Sequence, residues 1–95
     1  MEKIYTIEQL KEFIRNFLSG KDIKVYLFGS RARGNNRESS DIDLAFESEE
    51  DIDRQLTYLR FVIEESNLPY KVDIVNLKYA PYLKDVIERE GERWI

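Results

Sequence analysis

The sequence predicts a small α/β fold (α+β in its element order) in which helices pack on one mixed β-sheet. First, hydrophobic residues alternate along the chain between helical spacing and short strand-like runs, in the order α-β-β-α-β-α. Second, 42% hydrophobic and 36% charged residues make a composition that can bury a core. Third, 95 residues are enough for one domain, and no linker or repeat divides them. We therefore expect residues 1–95 to form a single domain.

The first half of the chain is predicted to contain one helix and two strands. Thr6 and Gln9 fit a capping box, and the hydrophobic spacing predicts a helix over residues 6–19 that ends at Gly20. Residues 25–28 form a β-branched and aromatic run, typical of a buried strand, that stops at Gly29. Residues 29–40 are polar and predict a loop. Residues 41–46 alternate strictly and predict a second strand with Asp41 and Asp43 on one face.

The second half is predicted to contain two helices and one strand. Ser48 is expected to begin a helix that stops near Asn67 and Pro69. Residues 71–77 predict a third strand. Pro81 is expected to open a third helix that ends at Gly91, before a short tail.

Composition excludes several kinds of chemistry. The chain has no Cys and no His, which removes disulfide scaffolds, zinc fingers, cysteine nucleophiles and imidazole catalysis. Its net charge of −4 argues against binding nucleic acid or anionic membranes through bulk positive charge. Apolar stretches are too short for a spanning helix, and no signal peptide is visible, so a cytoplasmic location is expected.

Three aspartates occupy positions where strands seldom carry them. Asp41 and Asp43 share one face of the second strand, and Asp73 lies in the middle of the third. If these strands are neighbours, three carboxylates meet on one patch. Oxygen ligands without His or Cys select Mg²⁺ or Mn²⁺, and two such ions would suit phosphoryl or nucleotidyl transfer. The aspartates alone leave an alternative open, in which Asp41 and Asp43 are solvated and Asp73 pairs with a Lys or Arg.

A candidate phosphate-binding segment precedes the aspartates. Gly29 and Ser30 directly follow the first strand, where a glycine lets the backbone approach an anion and a serine adds a hydroxyl and an amide. Arg31, Arg33 and Arg37 place three cations close by. The combination of an anion site and a cation site is what a nucleoside triphosphate with Mg²⁺ requires.

These motifs together resemble a known family. Gly29-Ser30, ten intervening residues and then Asp41-x-Asp43 are similar to the signature of the DNA polymerase beta nucleotidyltransferase superfamily. The fuller string GSRARG, followed by SDIDLAF and VDIV, resembles the minimal nucleotidyltransferase (MNT) domain of prokaryotes. The resemblance covers nearly the whole chain and implies the polymerase-beta-like nucleotidyltransferase fold.

The resemblance also implies roles for single residues. Asp41 and Asp43 match the family's two metal-binding aspartates, and Asp73 matches its third carboxylate, which helps to bind the metal and assists deprotonation of the attacking hydroxyl. Gly29 and Ser30 match the residues that hold the triphosphate. Arg31 and Arg33 match basic positions of the same segment.

Relatives of this kind imply a partner and a reaction. MNT proteins commonly accompany a HEPN partner and act as antitoxins that transfer AMP from ATP to a tyrosine of that ribonuclease toxin. The resemblance therefore implies a Mg²⁺-dependent protein adenylyltransferase that forms a hetero-oligomer with its toxin.

Two other functions stay open. One is a non-catalytic antitoxin that binds and occludes its partner. The other is nucleotidyl transfer to a small molecule or RNA, which the net charge and the lack of an acceptor domain make less favourable. The six tyrosines and the tryptophan fit either core packing or a protein interface.

Overall fold

The structure is a computed structural model that describes residues 4–29, 31–32 and 41–95. Within these residues the helices are α1 (Ile7–Phe17), α2 (Asp53–Glu64) and α3 (Lys84–Glu90), and a 3₁₀ turn (Pro81–Leu83) leads directly into α3. The strands are β1 (Lys24–Phe28), β2 (Ile42–Glu47), β3 (Val72–Asn76) and β4 (Glu92–Arg93). The predicted order of helices and strands is confirmed, with β4 added at its end.

The strands form one mixed sheet in the order β3-β2-β1-β4. β2 and β3 are parallel because α2 connects them as a crossover, whereas β1 is antiparallel to both of its neighbours. The short β4 was not predicted. It adds to the far edge of β1, where the backbone N–H of Trp94 donates to Val25 O at 2.8 Å. A two-residue strand is too short to show a hydrophobic period, so pattern reasoning had no signal for it.

The main core lies between α1, α2 and one face of the sheet. Leu10 and Ile14 of α1 are fully buried, as are Leu56 and Leu59 of α2. They pack with the inward side chains of β2, which are Ile42, Leu44 and Phe46. The opposite face of β2 is covered at one end only, where Ala45 packs with Leu77 and with Ile87 of α3. The other end of that face carries Asp43, which is half-buried.

Local hydrogen bonds explain one confirmed helix start and one wrong prediction. At α1 the capping box is present, since Gln9 N donates to Thr6 Oγ1 at 3.1 Å and Thr6 N donates to Gln9 Oε1 at 3.2 Å. Ser48, however, does not begin a helix, because its Oγ accepts from Glu50 N at 3.1 Å within a turn. The helix α2 begins only at Asp53. Side-chain bonds of this kind compete with helix formation.

No helix among the described residues is both long enough and apolar enough to cross a membrane.

Candidate functional site

Two of the predicted metal ligands lie side by side. Asp43 of β2 and Asp73 of β3 are Cα partners in the parallel register. Neighbouring strands are about 4.8 Å apart, and side chains at one register position of a parallel pair point to the same face. The structure therefore brings these two carboxylates together on the face of the sheet that α3 covers only in part.

The third aspartate lies at the edge of this pair. Asp41 precedes β2 and is exposed, while the next residue, Ile42, donates its N–H to Lys71 O at 2.9 Å. Within residues 4–29, 31–32 and 41–95, no group of three or more acidic side chains is arranged to share a metal ion. The structure thus places Asp43 beside Asp73 but does not gather all three carboxylates into the single cluster that the sequence predicts.

Asp73 also forms an ion pair with a lysine. Lys71 Nζ lies 3.9 Å from Asp73 Oδ1, and the two side chains are 71% and 45% exposed. An exposed pair at this distance contributes little to stability and can be rearranged at low cost. The aspartates alone leave open that Asp73 pairs with a Lys or Arg, and the structure shows this pairing with Lys71. Lys71 was not named from the sequence, although it lies two residues before Asp73 on the same strand face.

The donor set nevertheless suits the metal that the sequence predicts. Only carboxylate oxygens are present at Asp41, Asp43 and Asp73, and the chain contains no His or Cys. Hard oxygen ligands of this kind fit Mg²⁺ or Mn²⁺ and disfavour softer metals. The donor atoms of these side chains are therefore of the kind that a magnesium ion prefers.

Gly29 lies directly against the carboxylate of Asp43. β1 ends at Phe28, whose Cα partner is Asp43, and the chain then turns with φ +79° at Gly29. A β-carbon built at Gly29 would overlap Asp43 Oδ2 and lie 3.2 Å from Asp43 Cγ. Only glycine combines this backbone conformation with this approach. The backbone at the end of β1 therefore runs directly beside the Asp43 carboxylate.

The basic segment is described only in part. Ser30, Arg33 and Arg37 lie outside the described residues. Arg31 is described, and its guanidinium carbon lies 4.6 Å from the centroid of the Tyr70 ring. This distance is within the range of a cation–π contact. The sequence predicts core packing or a protein interface for Tyr70 and carries no signal for its contact with Arg31.

A groove of about 730 Å³ runs beside the two aspartates. Its lining includes polar and apolar side chains from β2, β3 and the segments next to them, among them Phe28, Asp43, Tyr70, Lys71, Asp73 and Leu83. A volume of this size is in the range of small-molecule sites. The carboxylates therefore open onto a space in which a nucleotide could lie.

Two tyrosines outside the lining of this groove have perturbed acidity. The hydroxyl of Tyr79 donates to Asp53 Oδ2 at 2.7 Å, and this hydrogen bond raises the pKa of the phenol. Burial, followed by the charge of Glu47, raises the pKa of Tyr26. The pKa of each phenol therefore lies above the ordinary tyrosine value of 10.0.

Comparison with known proteins agrees with this geometry. Residues 7–93 match the family model described as "Nucleotidyltransferase domain". Over 94 aligned residues the chain is 36% identical to "Putative protein adenylyltransferase MJ1379" of Methanocaldococcus jannaschii, covering 90% of this chain and 94% of that protein. It is 41% identical over 56 residues to "Probable protein adenylyltransferase MntA" of Haemophilus influenzae, covering 58% of this chain. The matched part spans 49% of the H. influenzae protein, about half its length.

A solved structure supports the same relationship. The crystal structure of a toxin–antitoxin with AMP-PNP superimposes with a TM-score of 0.62 and is 25% identical, covering 90% of this chain and 72% of that one. The matched family model covers nearly the whole chain, and the relative from M. jannaschii matches over nearly its full length. The chain therefore belongs to the nucleotidyltransferase domain family.

Proposed function

We propose that this chain is a Mg²⁺-dependent protein adenylyltransferase that acts as the antitoxin of a HEPN toxin, transferring AMP from ATP to a tyrosine of the toxin. The observation that carries the proposal is the cross-strand pair of Asp43 and Asp73, with the Gly29 backbone against Asp43. A carboxylate pair beside a phosphate-binding turn is the arrangement that nucleotidyl transfer needs.

We assign the metal to the three aspartates, which would converge on it when it binds, because the described part of the chain does not gather all three into one cluster. Asp43 would bind it from β2, Asp41 from the residue just before that strand, and Asp73 from β3. When bound, Mg²⁺ would offset the charge of the triphosphate and stabilise charge that develops at the α-phosphate. Lys71 would exchange its ion pair with Asp73 for contacts with solvent or phosphate.

The acceptor hydroxyl would be activated by Asp73. As the tyrosine oxygen forms its bond to the α-phosphorus of ATP, the bond from that phosphorus to the bridging oxygen breaks and pyrophosphate leaves. The phenolic proton passes to the Asp73 carboxylate, either directly or through water. The products are the adenylylated tyrosine and pyrophosphate, which balances the reaction.

The segment after β1 would bind the triphosphate. The Gly29 backbone lies beside Asp43 with no side chain between them, which allows a phosphate to approach the metal ligands closely. We assign Ser30 and the basic residues Arg31 and Arg33 to the same anion site. Guanidinium groups suit this role because they present several donors to phosphate oxygens.

The partner is supported by relatives and by the surface. One similar structure is described as a toxin–antitoxin, and two similar proteins are named as protein adenylyltransferases. The described surface also carries exposed aromatic side chains, with Tyr58 52%, Phe61 53% and Tyr82 76% exposed. Aromatic residues are enriched at protein interfaces, so this surface agrees with a hetero-oligomer.

Intact mass measurement tests the proposed reaction. The chain is incubated with ATP, Mg²⁺ and the toxin encoded beside it, and the toxin is then weighed. Addition of one or more AMP groups to the toxin is expected, and peptide mapping should place them on tyrosine. An unmodified toxin, with both proteins folded and associated, would contradict the proposal.

Omission of the metal separates catalysis from occlusion. With EDTA in place of Mg²⁺, the adduct should disappear while binding to the toxin persists. If EDTA-treated protein neutralises the toxin as fully as the Mg²⁺-loaded protein does, the chain acts by occlusion and not by AMP transfer.

A further inference from the structure

The topology brings three chain segments to one end of the sheet. β1 ends at Phe28 opposite Asp43, and β3 begins at Val72 opposite Ile42. The end of β1, the start of β2 and the start of β3 are therefore neighbours. Arg31 follows the first of these segments and Tyr70 precedes the last, so a contact between them spans the start of β2, the strand that carries Asp43.

The Arg31 guanidinium lies over the Tyr70 ring. The guanidinium carbon lies 4.6 Å from the ring centroid, and both side chains are half-buried. Tyr70 itself packs against the main core and also lines the groove that contains Asp43 and Asp73. The ring is therefore a packed surface against which the Arg31 side chain lies.

Contact with an aromatic ring lowers the entropy that an arginine side chain loses when it binds an anion. A guanidinium carries five N–H donors, and a ring, which accepts no strong hydrogen bond, leaves it able to bind an anion as well. The side chain also loses rotamer freedom on the ring, so less freedom remains to be lost when it later binds an anion. An arginine that lies over a ring therefore loses less side-chain entropy on binding a phosphate than an unsupported arginine does.

From these observations we propose that Tyr70 is a positioning residue, which holds the Arg31 guanidinium at the end of the carboxylate groove for the triphosphate. This inference rests on the proposed function, because it concerns the nucleotide of the same site. The inference extends the proposed triphosphate site by Tyr70, which lies before β3, makes no contact with phosphate and acts through Arg31.

The test measures nucleotide affinity in matched variants of the full chain. Binding of AMP-PNP with Mg²⁺ is followed by calorimetry for wild type, Tyr70→Leu and Tyr70→Phe. Leucine removes the ring, and we expect it to weaken binding about three- to tenfold, the affinity change that corresponds to the cost of ordering one flexible side chain. Phenylalanine keeps the ring and should stay within about twofold of wild type, since a Phe ring also binds cations.

A double-mutant cycle shows whether Tyr70 acts through Arg31. Arg31→Ala should weaken AMP-PNP binding at least as much as Tyr70→Leu, and the double variant should be no weaker than Arg31→Ala alone. In the AMP-transfer assay, Tyr70→Leu should raise KM for ATP and leave kcat nearly unchanged, because a contact made equally in ground and transition states affects only KM. A purely structural role would lower thermal stability without this pattern.

The outcomes separate the inference from the function on which it rests. Wild-type protein that is folded but binds no AMP-PNP overturns both. Wild-type binding with an equal affinity for Tyr70→Leu overturns the inference alone, as do fully additive effects of the two substitutions. If Tyr70→Leu does not fold, Tyr70→Met removes the ring while keeping more of its apolar length, and the same criteria apply to it.

Discussion

Gly29 and Asp43 are in such close contact that no side chain fits between them. The backbone of Gly29 has φ +79°, and a β-carbon there would overlap Asp43 Oδ2. We predict that Gly29→Ala destabilises the fold by well over 1 kcal/mol, because a conformational cost of about 1 kcal/mol adds to the collision. Nucleotide binding should also fall, since Asp43 has to move. Chemical denaturation and AMP-PNP calorimetry measure the two effects.

Gly20 offers a matched control for this prediction. It has nearly the same backbone conformation, φ +81°, but a β-carbon there would meet no atom within 4 Å. Gly20→Ala should therefore cost only about 1 kcal/mol and leave AMP-PNP affinity at the wild-type value. Equal losses of stability and equal affinities in the two variants would show that the contact with Asp43 is unimportant.

The carboxylates of the groove should be needed for transfer and not for folding. We predict that Asp43→Asn lowers the rate of AMP transfer by about a hundredfold or more, and that Asp73→Asn lowers it by about 10²–10⁴-fold, the usual contribution of a general base. Stability should change by about 1 kcal/mol or less, because both side chains are partly exposed. Toxin modification is followed by intact mass over time.

Asp22→Asn is the control for the change in charge. Asp22 is exposed and lies before β1, at the opposite end of that strand from Gly29. The substitution removes one negative charge, as the two above do, and should leave the transfer rate unchanged. If all three variants lose activity to a similar extent, the net charge of the chain would account for the effect and the groove would not.

Much of the fold follows from local signals that the sequence displays. The Thr6 capping box and the strict alternation of residues 42–46 each specify one element, and both are present in the structure. Ser48 shows the limit of such signals, because a serine can cap a helix or close a turn. Here its hydroxyl accepts from Glu50 N in a turn, and the helix starts at Asp53.

The site could be predicted only as far as the alternation of side chains along a strand determines it. Residues two apart on a strand share a face, so the pattern places Asp41 and Asp43 together and predicts a shared patch with Asp73 if the two strands are neighbours. The pattern does not set the register, because a slip of two residues keeps every side chain on its face, and the pairing of Asp43 with Asp73 is seen only in the structure. Contacts between distant segments do not follow from the pattern either. The contact of Arg31 with Tyr70 and the pairing of β4 with β1 are examples, since no hydrophobic period or sequence motif indicates either of them.

The C-terminal residues should contribute strongly to stability. Trp94 is 6% exposed, and its backbone N–H donates to Val25 O at 2.8 Å, which ties the tail to the edge of the sheet. We predict that Trp94→Ala costs about 3–5 kcal/mol, the usual loss for a buried aromatic side chain. Tyr82→Ala is the control, since Tyr82 is 76% exposed and its removal should cost about 0.5 kcal/mol or less. Urea denaturation monitored by circular dichroism compares them, and equal losses would contradict the packing described for Trp94.

The hydrogen bond from Tyr79 to Asp53 predicts a specific dependence on alkaline pH. Because the protonated phenol donates to Asp53 Oδ2 at 2.7 Å, the pKa of Tyr79 in the folded protein lies above its ordinary value of 10.0. A raised pKa in the folded state means that the stabilisation is fully present below pH 10.0 and is lost as the pH rises through the folded pKa.

The ultraviolet absorbance of tyrosinate, measured against pH in wild type and in Tyr79→Phe, reports the ionisation of Tyr79 by difference. The difference between wild type and Tyr79→Phe should titrate with a midpoint above 10.0, and Asp53→Ala should lower that midpoint because it removes the acceptor. Above pH 10.0 the free energy of unfolding should fall more steeply for wild type than for Tyr79→Phe, which has no proton to lose at that position. A midpoint at or below 10.0 would mean that the hydrogen bond is not maintained in solution.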